Sequence, residues 1–377
     1  MSGTSCDGVT AAAASISGPA GRPRVRCLGV TERAYPGALR GRLLRAAAPG
    51  GSDAAEVAAL HVELAEFWAG AATRLAGGRA GLRRFDLLAS HGHTLHHHPP
   101  AGRARGWSLQ VGDAATLAER TGLPVVHDFR ARDLALGGQG APLVPRADAA
   151  LFGHPREPRV ALNLGGIANI TVLPAGTTHP AWAFDTGPGN MALDALAARA
   201  TRGRLRFDRG GRLAAAGHVD PGLLHAWLAH PFFRRRPPRS TGREEFGDAF
   251  LSPALEAIRR RRMRWADALA TATALTALTV AAAVHAYAAP GTRLVIGAGG
   301  GMRNRALVRE LRAMLSPLRL EPSDRHGVPS RAREALAFAV LGHFTWRGLP
   351  GNLPCATGAT AEAVLGSVVP GRSGRIS

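Results

Sequence analysis

At 377 residues the chain has room for about two domains and a sizeable core. Its formal charge is +20, yet all 47 basic residues are Arg and there is no Lys. That absence excludes mechanisms that need a side-chain amine: the Walker-A loop, the protein-kinase catalytic pair, and Schiff-base or pyridoxal chemistry. Any phosphate must then be held by backbone N–H groups, Arg or a metal ion. A lack of Lys beside abundant Ala, Gly, Arg and Pro reads as GC-rich codon pressure. Arg forms runs only at 234–236 and 259–264, so a nucleic-acid partner is not expected. Cys6, Cys27 and Cys355 are odd in number and dispersed. This fits a reducing cytoplasm better than a disulfide framework or a zinc finger.

The chain opens on MSGTSCDG, a small polar turn ahead of the first apolar run, AAAASIS. It reads either as a frayed terminus or as half of a binding loop without its leading strand. A helical pattern follows over 53–76, then a buried strand, FDLLASHG (85–92). SHGHTLHHHP brings five His together, but a zinc site needs convergent geometry and usually a Cys or carboxylate partner. A helix is predicted over 113–121 with Asp113 at its start, followed by strands at LPVVHDF (123–129), RVALNLGG (159–166) and AWAFDTGPG (181–189). Helices are predicted over 190–200, 221–229 and 248–287. The uncharged run Ala268–Pro290 is Ala- and Thr-rich and carries His285, so it reads as a packed helix and not as a membrane span. The last strand, TRLVIGAGGG (292–301), leads to helices over 303–315, with Asn304 at its start, and 330–346. Strands alternating with helices predict α/β architecture, with ligands beyond the carboxyl ends of the strands.

Three Gly-rich turns fall at such ends: SGTSCDG, NLGGIAN (163–169) and GAGGGMRN (297–304). Glycine lets backbone N–H groups approach an anionic oxygen, although any one such turn can equally serve chain geometry. Asp185, between a strand and the rigid TGPG turn, is placed to bind Mg²⁺ through water, to abstract a proton, or simply to cap the turn. Glu334 lies among apolar residues on a helix.

Together these residues resemble the bacterial anhydro-N-acetylmuramic acid kinase family of the sugar kinase–Hsp70–actin superfamily. The blocks that carry the resemblance are MSGTSCDG (1–8), SHGHTLHHHP (90–99), the long stretch 109–145, LNLGGIANITVL (162–173), FDTGPGNMALDA (184–195), RSTGREEF (239–246), GAGGGMRN (297–304), REALAF (333–338) and GLPGNLPCATGA (348–359). They run in order along nearly the whole chain.

The resemblance implies a two-lobed α/β fold, each lobe built on a ribonuclease-H-like sheet, with ATP in the cleft between. Lobe I would comprise 1–128 plus 335–377 and lobe II 129–334. It implies ATP contacts from Gly3, Thr4, Ser5, Cys6, Asp7, Gly8, Val9 and Thr10 in the first loop. Asn163, Gly165, Gly166 and Asn169 would form the second, and Gly299, Gly300 and Asn304 would face the adenosine. Asp7 would hold Mg²⁺ through water, and Asp185 would be the general base. His91, Thr94, Arg130 and Glu334 would line the sugar site, with Arg130 suited to a lactyl carboxylate. The substrate would be 1,6-anhydro-N-acetylmuramic acid, opened by water and phosphorylated on O6; a homodimer is a family-level expectation. The alternative is a relative that kept the lobes and lost catalysis, against which Asp7, Asp185 and Glu334 all stand.

This chain departs from its relatives in having Cys6 for a common Met, Val9-Thr10 after the loop, and His93 where Gln is usual. Relatives also carry a short strand before the first loop, so a chain extended upstream is expected to bind ATP more tightly and melt higher.

Overall fold

The structure is a computed structural model that describes residues 1–3, 6–19, 21–48, 50–100, 102 and 104–372. The chain divides into two compact units, residues 1–151 with 327–377 and residues 152–326. The divisions fall after Leu151 and after His326, where the sequence placed them at 128/129 and 334/335.

The first unit begins with β1 (Gly8–Ser17) and β2 (Arg24–Ala34), an antiparallel pair in which β2 bulges at Leu28. The short β3 (Leu88–Ala89) runs parallel to β6 (Val125–His127), whose other edge pairs with the strand Ser367–Val369. Between them, β4 (His93–His98) and β5 (Trp107–Val111) form a hairpin. The helix Ala54–Leu75 starts where Asp53 accepts from the Glu56 N–H, as an N-cap should. It buries Leu60, Leu64, Ala65, Trp68 and Ala69, spaced as one helical face, against Val9, Leu43 and Leu117. A second cluster, with Phe129, Phe338, Leu341 and Phe344, sits under the helix Arg333–Trp346. Among the described residues β1 pairs only with β2 and, at Val9, with Ser2; β3 pairs only with β6. Residues of both strands line a cavity of about 550 Å³.

The second unit is built on one five-stranded sheet. β7 (Arg159–Leu164), β8 (Ile167–Leu173) and β9 (Trp182–Pro188) form an antiparallel meander. β10 (Leu294–Ala298) joins β7 in parallel, and β11 (Arg319–Pro322) joins β10. The order β11-β10-β7-β8-β9 is the ribonuclease-H-like arrangement that the resemblance implies. β7 and β10 read as continuous apolar runs because both of their faces are covered. The helix predicted over 248–287 is in fact two, Asp248–Arg261 and Trp265–Tyr287. They part at Arg262, which takes a left-handed φ of 51° that no helix interior accommodates. The second of them is apolar and long enough to cross a bilayer, but most of its length is buried in the core of this unit, to which it contributes Leu269, Leu275, Val280 and Val284.

Candidate active site

The first Gly-rich turn lies at the start of the first unit. The Thr10 N–H donates to the Met1 carbonyl at 2.9 Å, and the Cys6 N–H donates to that of Gly3 at 3.1 Å. Cys6 holds a left-handed φ of 54° and is buried. Gly8 is obligatory for packing: a Cβ there would stand 2.3 Å from the Arg33 carbonyl oxygen. Asp7 is exposed, with the Arg40 guanidinium 3.6 Å from its carboxylate. Val9 turns its side chain into the core, so only its backbone is available to a ligand. Thr4 and Ser5 lie outside the described residues.

Of the four predicted sugar-site residues, the structure brings His91 and Arg130 into direct contact. Arg130 Nε and Nη2 donate to His91 Nε2 at 3.1 and 2.8 Å, and Arg130 Nη1 donates to the Gly140 carbonyl at 2.5 Å. Since Nε2 accepts, His91 is neutral with its proton on Nδ1, which donates to the Gly92 carbonyl at 3.0 Å. Burial and then the Arg130 charge hold the His91 pKa well below its usual range. Burial also lowers Arg130, to about 10, against the opposing pull of the Glu334 and Asp133 carboxylates. Three of the five guanidinium N–H groups are thereby engaged, leaving one on each of Nη1 and Nη2, a pair with the spacing of a carboxylate. Glu334 sits exposed in the first turn of its helix, and Thr94 accepts from Gln110 at 3.3 Å.

What fixes this corner is a residue that sequence reasoning missed. Asp133 is fully buried and accepts from the Gly140 N–H (2.8 Å), Asn352 Nδ2 (2.9 Å) and Thr357 Oγ1 (2.7 Å). By holding Gly140 it orients the carbonyl that orients Arg130.

In the second unit, β7 and β8 turn at Gly165-Gly166. The helix Asn190–Ala200 begins directly against this turn. The Asn190 N–H donates to the Gly165 carbonyl, the Gly189 and Met191 N–H groups donate to that of Gly166, and Asn190 Nδ2 donates to that of Leu164 at 3.0 Å. A trans peptide points its C=O and N–H oppositely, so the Gly166 N–H faces away from the helix. The third Gly-rich turn packs on the same place: Gly299, at φ 92°, leaves no room for a Cβ beside the Leu164 carbonyl (2.7 Å) and Asn163 Oδ1 (2.9 Å). Gly300 follows in a 3₁₀ turn, and Asn304 caps the next helix by accepting from the Leu307 N–H at 3.1 Å.

Asn163, Asn169 and Asp185 are consecutive partners across β7, β8 and β9, and so form one polar row beside these turns. Asp185 is clamped by the segment that follows Phe233. Its N–H donates to the Arg239 carbonyl, its own carbonyl accepts from Arg239 Nε, and its Oδ2 accepts from the Thr241 N–H at 2.9 Å. The block RSTGREEF was legible in the sequence, but not its task of holding Asp185.

The histidine cluster is divided between roles. His93 points inward, His97 lies 3.0 Å from Ser108 Oγ, and His98 packs on Trp107. Burial lowers His91 strongly, and lowers both His93 and His97 to about 4 from the usual 6.5. Between pH about 6.5 and about 4 the unfolded chain therefore binds protons that the folded chain refuses. Their contribution is that stability is full above pH 6.5 and is lost as pH falls towards 4. Urea melts at stepped pH should show this slope, and His93→Gln should flatten it; an unchanged slope in that variant would remove His93 from the account.

Comparison with known proteins identifies the family. The family described as Anhydro-N-acetylmuramic acid kinase matches residues 1–371. The anhydro-N-acetylmuramic acid kinase of Synechococcus sp. (strain CC9605) is 45% identical over 373 residues, covering 97% of this chain and 97% of the relative. That of Gloeobacter violaceus is 44% identical over 374 residues, with 98% and 97% covered. That of Streptomyces coelicolor is 46% identical over 380 residues, with 99% and 93% covered. The chain belongs to the anhydro-N-acetylmuramic acid kinase family.

Proposed function

We propose that this ATP-dependent kinase of peptidoglycan recycling uses Asp185 as its general base. Asp185 takes a proton from a water that attacks the anomeric carbon of 1,6-anhydro-N-acetylmuramic acid. The C1–O6 bond breaks as the new C1–O bond forms. The released O6 attacks the γ-phosphorus of ATP, the bond to the β-phosphate oxygen breaks, and ADP leaves with N-acetylmuramic acid 6-phosphate as the other product. The observation that carries the assignment is the row Asn163–Asn169–Asp185 beside the Gly165-Gly166 and Gly299 turns, in a chain of this family.

With no Lys available, the phosphates are met by backbone N–H groups, among them that of Gly166. The first loop, Gly3–Thr10, takes phosphate in the same way, and Gly299, Gly300 and Asn304 take the adenosine side. Mg²⁺ fits the exposed Asp7, a hard oxygen donor that can bind through water, and when bound it neutralises phosphate charge. Arg130 receives the lactyl carboxylate on its remaining Nη1 and Nη2 hydrogens, with His91, Thr94 and Glu334 around the sugar.

A coupled ADP-release assay tests this reading. The anhydro-muramic sugar should give turnover, and the anhydro-N-acetylglucosamine analogue, which lacks the lactyl group, should give at least about tenfold less. Equal rates with the two sugars would dismiss Arg130 as the carboxylate site. No ADP with either would dismiss the kinase reading.

A further inference from the structure

A buried chain of side-chain hydrogen bonds ends on the first Gly-rich loop. Trp68 Nε1 lies 2.8 Å from Tyr35 Oη, Tyr35 Oη lies 2.7 Å from Ser2 Oγ, and Ser2 Oγ lies 2.8 Å from His93 Nδ1. His93 Nε2 then faces Cys6 Sγ at 3.6 Å. Trp68, Tyr35, Ser2, His93 and Cys6 are all buried.

An indole N–H can only donate, so Tyr35 Oη accepts from Trp68 and gives its single proton to Ser2. The arrangement that gives every proton of the chain an acceptor has the Ser2 hydroxyl donating to His93 Nδ1. The imidazole is neutral, burial having lowered it to about 4, so its proton is on Nε2 and points at the Cys6 sulfur. Every link donates toward the loop, an alignment in which successive bonds polarise one another.

On the sheet side the loop is tied by the Ser2–Val9 bridge and the Met1–Thr10 bond, and the cavity lined by β1 and β3 opens next to it. Cys6 also sits in a left-handed conformation that a non-glycine residue keeps only when its surroundings enforce it. The Tyr35 N–H adds one more tie, donating to the Asp7 carbonyl at 3.1 Å.

We propose that Tyr35, Trp68 and His93 are positioning residues for nucleotide binding: their hydrogen-bond chain holds Ser2 and Cys6 so that the backbone there is set to receive phosphate. The proposal rests on the reading of that loop as a phosphate loop. Tyr35→Phe cuts the chain while keeping the ring. It should raise the KM for ATP about tenfold, the size of one lost buried hydrogen bond, and leave the KM for the sugar within about twofold. His93→Leu should do the same. His93→Gln, which keeps an acceptor for Ser2 and a donor for Cys6, should restore the ATP KM. An unchanged ATP KM in Tyr35→Phe, equal shifts in both KM values, or His93→Gln behaving like His93→Leu would each overturn the proposal. Asp7→Asn tells this failure from that of the loop reading. If it raises the ATP KM and Tyr35→Phe does not, only the positioning role falls; if neither raises it, the loop is not the phosphate site and both readings fall.

Discussion

Replacing Asp185 with Asn is expected to leave the fold intact and to lower turnover on the order of 10³-fold, the usual worth of a positioned general base. Stability should hold because the contact that the carboxylate makes with the Thr241 backbone needs only an acceptor. The Thr241 N–H now donates to Oδ2 at 2.9 Å, and an amide oxygen can take that bond. The two backbone bonds to Arg239 do not involve the side chain. ATP affinity should likewise be unchanged, since the Gly-rich turns keep their geometry. Single-turnover ADP release with a melting curve on the same sample checks both halves. A rate within about tenfold of the parent would remove Asp185 as the base.

Asp133→Ala is expected to have the largest effect on stability. Three donors converge on this carboxylate, and truncation leaves the Gly140 N–H, Asn352 Nδ2 and Thr357 Oγ1 facing an empty, dry space. Breaking such a buried arrangement costs on the order of 3–5 kcal/mol. For a unit of this size that lowers the melting temperature by roughly 10 °C. Asp133→Asn is the informative companion. Its amide oxygen can still serve Asn352 and Thr357, while its NH₂ opposes the Gly140 N–H. It should melt closer to the parent and still raise the KM for the sugar, because Gly140 no longer fixes the Arg130 guanidinium. If Asp133→Asn binds the sugar normally, Arg130 does not depend on this support.

How far the sequence revealed this molecule depended on whether a feature was local. The helices Ala114–Thr121 and Arg305–Leu315 announce themselves through Asp113 and Asn304 at their N-caps, and Ala54–Leu75 through its helical pattern. β3, β6, β7, β9 and β10 were located by the polar turns at their ends, although β3 is far shorter than the apolar run around it, whereas β1, β2, β4, β5 and β11 were not recognised as strands. The three turns and Asp185 stood out because a strand end followed by glycines is a contiguous pattern. The break at Arg262 did not, since a run of Arg in a helical stretch carries no signal for a left-handed φ. Nor did Asp133, two of whose three partners lie 219 and 224 positions further along. The chain from Trp68 to Cys6 joins residues from four separate segments, and only folding puts them in order. Asn304 stood out as a candidate contact for adenosine, yet its amide oxygen is committed to its own helix.

The discontinuity of the first unit has a consequence for the order in which the protein takes shape on the ribosome. Residues 152–326 are contiguous, and β7 to β11 can close their sheet as soon as they emerge. The first unit cannot finish then, although it is made first. Asp148 waits for Arg333, which forms a buried ion pair with it, and Asp133 waits for Asn352 and Thr357. Until residues 327–377 are synthesised, two interior carboxylates lack these partners and the strand Ser367–Val369 is missing from its sheet. The middle of the chain is thus the early-folding part, and the corner around Arg130 is completed last, by the carboxyl-terminal segment.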